Sequence, residues 1–317
     1  MKLGTVVLNW NGRDVTPHCL NSIYRSSRLP DAILVVDNAS KDGSADLIRE
    51  KYPHVVMLQN DTNLGFAAGC NVGMQYLLHK NFDLVLLLNN DTEIAPDCLE
   101  VLLKTAERHP AAAYGATIYE KAGRLWYGGG VLNPFTLEAR HDTNLISKKP
   151  HSTDFVTGCC IMIRVEALHK LGILDERFFA YYEDLDWCLR ARAAGERLIY
   201  APGAKLHHDV SHSFRRVGKR PGKNFPFAWA QSRPLVMYLS YRNRLLIAEK
   251  HASGTSHRCF LTCRIAVRGI VHAILLFSIG EWVRGRAILK GLVHGFISAG
   301  PEIDQYIGSA ISSAPDN

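Results

Sequence analysis

Four short apolar runs recur along the first ninety residues: Thr5-Val6-Val7-Leu8, Ile33-Leu34-Val35-Val36, Val55-Val56-Met57-Leu58 and Leu84-Val85-Leu86-Leu87-Leu88. Runs this short and this uniformly apolar suit strands buried on both faces. The stretches between them read as helices. Thr16-Pro17 gives an N-cap with proline at the first helical position, and Leu20, Ile23 and Tyr24 follow at helical spacing. Ser44 caps a helix through Glu50, and Phe66 to Leu78 reads as another. Such alternation predicts an α/β fold with a parallel sheet and helices on both faces. Ligands of these sheets bind beyond the carboxyl ends of the strands. The rule points to Asn9–Gly12, Asp37–Ser44, Asn60–Gly65 and Asn89–Glu93, the most polar, turn-rich segments of this half.

The second half is less regular. Trp126 to Arg140 reads as a hairpin around Gly128-Gly129-Gly130, and Phe155 to Ile163 as a strand carrying Thr157-Gly158. Val165 to Leu171 is a short helix, Glu183 to Ala194 a helix with Leu185, Cys188 and Leu189 inward, and Leu198-Ile199-Tyr200 a closing strand. The expected organisation is an α/β domain over 1–214, in two halves at about 1–95 and about 96–214. A basic loop and linker helix over 215–257 and an amphipathic tail over 258–317 complete it. Charge supports the division: 16 Lys/Arg stand against 6 Asp/Glu from Lys205 onward, but 21 against 24 before it. A basic tail meets nucleic acid or anionic lipid. Here Arg258, Arg264, Arg268, Arg284, Arg286 and Lys290 are mixed with aliphatic runs and Trp282, not with aromatics displayed for base stacking. That composition fits a helix lying in a membrane surface; the alternative is a helical pair packed on the α/β domain or on a second subunit. Ile270–Ile279 is too short to span and is interrupted by His272, and no uncharged apolar run reaches 18 residues, so no transmembrane helix is expected. Eight cysteines without CxxC or zinc-type spacing read as reduced cytosolic thiols, and the direct entry from Met1 into a strand argues against a signal peptide.

Three carboxylate groups stand out. Asp91 closes Asn89-Asn90-Asp91 after an apolar strand, where a carboxylate needs a partner; a divalent cation is one and a turn cap is another. Asp37 follows Val35-Val36 in the same way and suits either a nucleobase N–H or the Ser40-Lys41-Asp42-Gly43 turn. Glu183, Asp184 and Asp186 crowd the start of a helix, where the helix dipole favours them and mutual repulsion raises a pKa toward general-base use. An acidic first turn is the plainer reading. The aromatics Phe178-Phe179-Ala180-Tyr181-Tyr182 and Trp187 around it favour a lined cleft. His207-His208, with His212 beyond, offers imidazole to a cation.

Taken in order, these segments resemble the inverting family 2 glycosyltransferases of GT-A fold, and most closely their bacterial rhamnosyl- and galactofuranosyltransferase branch. The matching blocks are Val6–Gly12, Val35–Ser44, Asn63–Gly73, Leu88–Asp91, Thr157-Gly158, Tyr182–Arg190 and Tyr241-Arg242-Asn243-Arg244. The resemblance implies a nucleotide-diphosphate sugar donor (dTDP-rhamnose or a UDP-sugar) and a glycan or lipid-linked acceptor. It assigns donor contacts to Asn9, Asn11, Asp37, Asn63, Gly65, Asn71, Asn90 and Asp91, with Asp37 on the pyrimidine N3–H. Asp91 and His208, the latter favoured over His207 by the position of Ser213, would hold Mg²⁺ or Mn²⁺. Asn89 departs from the family's more frequent Asp. Asp184 would be the catalytic base, with Glu183, Asp186, Trp187 and Gly158 on the acceptor. A cytoplasmic enzyme on the inner face of the membrane follows, with a homodimer compatible. A sugar-nucleotide pyrophosphorylase needs a glycine-rich basic loop after the first strand and a dehydrogenase a GxGxxG there; Asn9-Trp10-Asn11-Gly12 is neither. A nucleic-acid-binding protein using the basic tail is the non-enzymatic rival.

Overall fold

A computed structural model describes residues 1–144, 147–209 and 233–297. The described residues divide into two compact units: 1–133 with 138–209, and 134–137 with 233–297. The basic segment 215–232, His212 and Ser213 lie outside the described residues.

The first unit is a twisted mixed sheet between helices. Strands β1 (Leu3–Asn9), β2 (Ala32–Asp37), β3 (Val56–Gln59) and β4 (Leu84–Asn89) are parallel, in the order 3-2-1-4, as the apolar runs predict. They are linked by α1 (Thr16–Tyr24), α2 (Ser44–Lys51) and α3 (Gly65–Leu78). All of Leu84–Leu88 is buried, and each such side chain contributes about 1.5–3 kcal/mol of burial. Register brings the polar ends level: Asn9 lies opposite Asp37, and Leu8 opposite Asn89.

Beyond β4 the sheet reverses. β11 (Cys160–Arg164) runs antiparallel to β4, with Cys160 opposite Leu88, so the residues just before β11 lie beside the carboxyl end of β4. The strand expected over 155–163 is thus shorter: Thr157 and Gly158 belong to the turn that enters it. β6 (Ala113–Glu120) follows, then β12 (Leu198–His208). β12 outruns the closing strand expected at 198–200 and places His207 and His208 within the sheet. Its far end pairs with β5 (Thr92–Ile94), His208 opposite Thr92. Alternation along a strand then separates the two histidines, His208 inward and His207 outward. The glycine run is also more elaborate than one hairpin. β7 (Leu125–Tyr127) joins β6, while β8 (Gly130–Leu132) pairs with β9 (Ala139–His141). Helices α4 (Cys98–Arg108), α5 (Val165–Leu171) and α6 (Glu183–Ala193), with the two-residue edge strand β10 (His151–Ser152), complete the unit.

The second unit packs α7 (Pro234–His251), α8 (Thr255–Ser278) and α9 (Trp282–Phe296) around Tyr241, Leu245, Leu261, Ile265, Leu276, Ile288 and Leu292. Gly291 lets α9 approach α7 closely, since a Cβ there would lie 2.4 Å from the Tyr238 carbonyl oxygen. α8 corrects the expectation for the tail. Its helix continues through Arg264, Arg268 and His272 for 24 residues, with a mean hydropathy of 1.8 over 18 of them, which is long and apolar enough to cross a membrane by length and composition. All eight cysteines are free, and six are buried. Burial pushes the Cys19 thiol up to about 12, so it packs as a small hydrophobe.

Candidate active site

The carboxyl ends of the parallel strands form a bracket of short polar side chains. The buried Asn9 amide donates to Asp37 Oδ1 (2.7 Å), Ser40 Oγ (3.1 Å) and Ser44 Oγ (2.9 Å), and its Oδ1 accepts from Thr16 Oγ1 (2.7 Å). Asn90 Nδ2 donates to Thr16 Oγ1 (2.9 Å), tying the β4 end to the same cluster. Gly12 has to be glycine: a Cβ would sit 2.1 Å from Asn9 Oδ1 and 2.2 Å from Thr16 Oγ1. Asn11, with φ of 51°, accepts the Lys41 N–H at 2.7 Å and links the first two loops. Asn63 accepts from Asn38 Nδ2 (2.8 Å) and from the Gly65 N–H (2.9 Å), which fixes the entry to α3. Asn9, Asn11, Asp37, Asn63, Gly65 and Asn90 are therefore brought together, but their amides are spent largely on shaping the loops. Asn71 is buried and its amide is fully engaged. Its Nδ2 donates to the Leu174 carbonyl and Glu176 Oε1, both at 2.9 Å, and its Oδ1 accepts the Leu174 N–H at 3.1 Å. It clamps α3 to the 174–176 segment.

Asp91 and His208 meet because β12 pairs with β5. His208 Nε2 lies 3.1 Å from Asp91 Oδ1, with both side chains less than a tenth exposed. That separation is within ion-pair range, yet neither His208 ring nitrogen is aligned for a hydrogen bond. A buried imidazole in this state costs free energy unless something else engages it. The pair fits a divalent cation: one carboxylate oxygen and one imidazole nitrogen, turned toward each other. Among the described residues no group of three or more His, Cys, Asp or Glu side chains converges.

The acidic helix separates its three carboxylates by burial. Phe179, Tyr181 and Tyr182 all have positive φ (58°, 68° and 73°), conformations that cost side-chain-bearing residues about 1–3 kcal/mol each. The Phe66 and Ala67 N–H groups, at the start of α3, hold the Phe179 carbonyl at 2.6 and 3.0 Å and stabilise this bend. The bend delivers Asp184 to the turn before β11. Its Oδ2 accepts the Gly158 N–H and its Oδ1 the Leu185 N–H, both at 2.7 Å. Burial raises the Asp184 pKa, opposed by these two backbone bonds. Glu183 is more deeply buried, and desolvation, then the charge of Asp184, holds its carboxyl well above the ordinary range. Both carboxyls are thus raised by burial, and Glu183 is raised further because Asp184 stands beside it. Gly158 thus positions the carboxylate by its backbone.

Asp186 and Trp187, also expected on the acceptor, are buried within the protein. Asp186 is fully buried and takes Arg190 Nε at 3.0 Å, while Arg190 also donates to the carbonyls of Leu171 and Ile173. Trp187 is fully buried, its indole N–H on the Gly172 carbonyl at 2.9 Å. Both hold the helix in place. The aromatics that do reach the site come from the other strands. Trp126, on β7, lies 4.9 Å from His208 and 4.3 Å from His141, ring to ring. His141, whose pKa burial lowers, interacts electrostatically with Asp184 and donates from Nδ1 to the Trp126 carbonyl at 3.1 Å. Sequence reasoning missed both residues. Their only signal was the aromatic pair preceding three glycines.

Comparison with known proteins follows this geometry. The model of the family described as "Glycosyl transferase family 2" matches residues 5–172. N-acetylglucosaminyl-diphospho-decaprenol L-rhamnosyltransferase of Mycobacterium tuberculosis is 29% identical over 224 residues, covering 62% of this chain and 72% of that protein. The dTDP-rhamnosyl transferase RfbF of Shigella flexneri is 24% identical over 251 residues, covering 78% and 79%. The mannosyltransferase PcManGT of Pyrobaculum calidifontis, solved with GDP-Man and Mn²⁺, superposes with a TM-score of 0.56 over 94% of this chain and 88% of that one, at 13% identity. GalNAc-T7, solved with UDP, GalNAc and Mn²⁺, gives 0.56 at 14% identity, and the match spans only 44% of its length. The fold is that of the GT-A glycosyltransferases.

Proposed function

The chain belongs to glycosyl transferase family 2, and on that premise we propose that it moves a sugar, with inversion, from dTDP-rhamnose or a UDP-sugar to a hydroxyl of a lipid-linked or polysaccharide acceptor. The observation that carries this reading is the Asp184 carboxylate held on the Gly158 N–H, at the same sheet edge as the buried Asp91–His208 pair. Direct displacement needs a base on the acceptor hydroxyl and charge neutralisation on the departing diphosphate, on opposite sides of the anomeric carbon. Asp184 takes the first role. Each of its oxygens already holds one backbone N–H, so the carboxylate is fixed in orientation while a lone pair remains for the hydroxyl proton. Asp91 and His208 would hold the cation, Mg²⁺ or Mn²⁺, which when bound neutralises the diphosphate. Asp37 accepts the pyrimidine N3–H, which uracil and thymine share. The test is a screen of dTDP- and UDP-sugars with each cation and with EDTA. One donor should be consumed only with cation; consumption of none of them overturns the reading.

The second unit supports attachment to an anionic membrane surface. Phe260, Val267, Ile270, Val271 and Ile274 of α8, and Trp282, Val283, Leu289, Val293 and Phe296 of α9, are exposed beside the exposed Arg258, Arg268, Arg286 and Lys290. Apolar faces with basic neighbours bind interfaces containing anionic lipid. An acceptor on a lipid carrier would be reached there. Substituting Ile274→Glu together with Trp282→Glu leaves the buried helix core intact. It should lower cosedimentation with phosphatidylglycerol vesicles by about tenfold or more, each buried CH₂ group being worth about 0.8 kcal/mol. Unchanged cosedimentation would remove the membrane from the proposal.

A further inference from the structure

We propose that the indole of Trp126 is the platform on which the transferred sugar of the donor rests, an inference that depends on the glycosyl-transfer reading above. In an inverting displacement the anomeric carbon lies between the departing diphosphate and the base. Trp126 is placed between the same two poles. On one side its ring meets His208 of the cation pair, at 4.9 Å and 67°. On the other it meets His141, at 4.3 Å and 77°, and His141 lies 5.9 Å, ring to ring, from Phe155, which enters the turn whose Gly158 N–H holds Asp184.

Three further features fit a sugar. Neither histidine stacks flat on the indole, and the residue is only half-buried, so the ring can receive the C–H face of a pyranose. The indole N–H makes no hydrogen bond among the described residues, although a half-buried Trp normally finds an acceptor; a sugar hydroxyl would supply one. His141 supplies the complementary group. The Trp126 carbonyl can only accept, so the proton sits on His141 Nδ1 and the lone pair on Nε2. The indole and the imidazole together therefore offer one donor and one acceptor around an apolar surface.

The backbone supports the same assignment. β7 pairs with β6 through Tyr127 opposite Ile118 and Leu125 opposite Tyr119, leaving Trp126 as the additional residue of a bulge. Bulges re-aim a side chain that regular pleating would send elsewhere, and they gather beside active sites. The adjacent Tyr127 ring is buried in the core against Phe155 and Tyr200 and anchors the strand.

The test separates sugar from nucleotide. Equilibrium binding in the presence of Mg²⁺ is measured for dTDP, dTDP-rhamnose, UDP and UDP-galactose with the wild type, Trp126→Phe and Trp126→Ala. For the nucleotide sugar that the wild type accepts, Trp126→Ala should weaken binding about tenfold, with the bare diphosphate changed by less than about twofold and Trp126→Phe lying between. Retained diphosphate binding shows that the variant is folded. Equal losses for diphosphate and nucleotide sugar, or no loss for either, overturn the platform and leave the transfer reading standing. A wild type that binds none of the four overturns both.

Discussion

Asp184→Asn is expected to lower transfer by about 10³-fold or more while leaving donor affinity nearly unchanged, since general-base contributions run to about 10²–10⁴-fold. The asymmetry follows from where Asp184 sits. It is bonded to the Gly158 and Leu185 N–H groups, away from the Asn9–Asp37–Asn63 bracket, so the nucleotide loses no partner when the charge goes. Stability should move little, because two terms oppose each other. The asparagine amide faces one backbone N–H that the carboxylate accepted, which costs about 1–3 kcal/mol, but a buried charge is removed. The pH profile gives an independent check. Burial raises the Asp184 pKa, so the acid limb of kcat/KM should fall above the ordinary Asp range. Stability runs the other way. A carboxyl whose folded-state pKa is raised gives its full stability below the unfolded value and loses it as pH rises through the folded one. Glu183 and Asp184 both have this sign. The pH range that ionises the base is therefore the range in which burying the pair is least favourable, an expected trade at a catalytic site. Near-normal turnover in Asp184→Asn would end its assignment as base.

The parallel half was legible because each strand is short, wholly apolar and closed by a polar turn. Burial on both faces leaves little freedom in such a pattern. The shared polar edge was legible for the same reason, since strand ends in a parallel sheet point one way. The reversal at β11 was not. Phe155, Val156, Cys159 and Cys160 are all buried, so hydropathy alone extends the strand backward over a turn whose function is to present the Gly158 N–H. His207 and His208 could not be told apart by residue type; the alternation of β12 and its pairing with β5 separate them. Trp126 was hidden by its bulge, because a local change of register leaves no trace in composition. In the acidic helix the charges were visible but their burial was not, and burial is what divides one carboxylate for chemistry from another for structure.

That division yields the second large effect. Asp186→Ala should destabilise the protein by about 3–5 kcal/mol, the usual consequence of removing one member of a buried ion pair. The cause is what remains. Arg190 keeps its bonds to the Leu171 and Ile173 carbonyls, which fix it in place, and its Nε then points into the volume that the fully buried carboxylate occupied. A loss of this size should lower the melting temperature by about 10 °C, at roughly 2–4 °C per kcal/mol for a unit of this length. The double variant Asp186→Leu with Arg190→Met removes both charges and should recover much of the loss, as apolar replacement of a whole buried pair often does. If Asp186 instead touched the acceptor, the single variant would keep its melting temperature and raise the acceptor KM, and the double variant would be no better. The contrast with Asp184→Asn is the sharper result. Two aspartates two positions apart on α6 should divide, one removing catalysis at unchanged stability and the other lowering stability, because the strained bend at Phe179–Tyr182 turns the first toward Gly158 while the second faces the core.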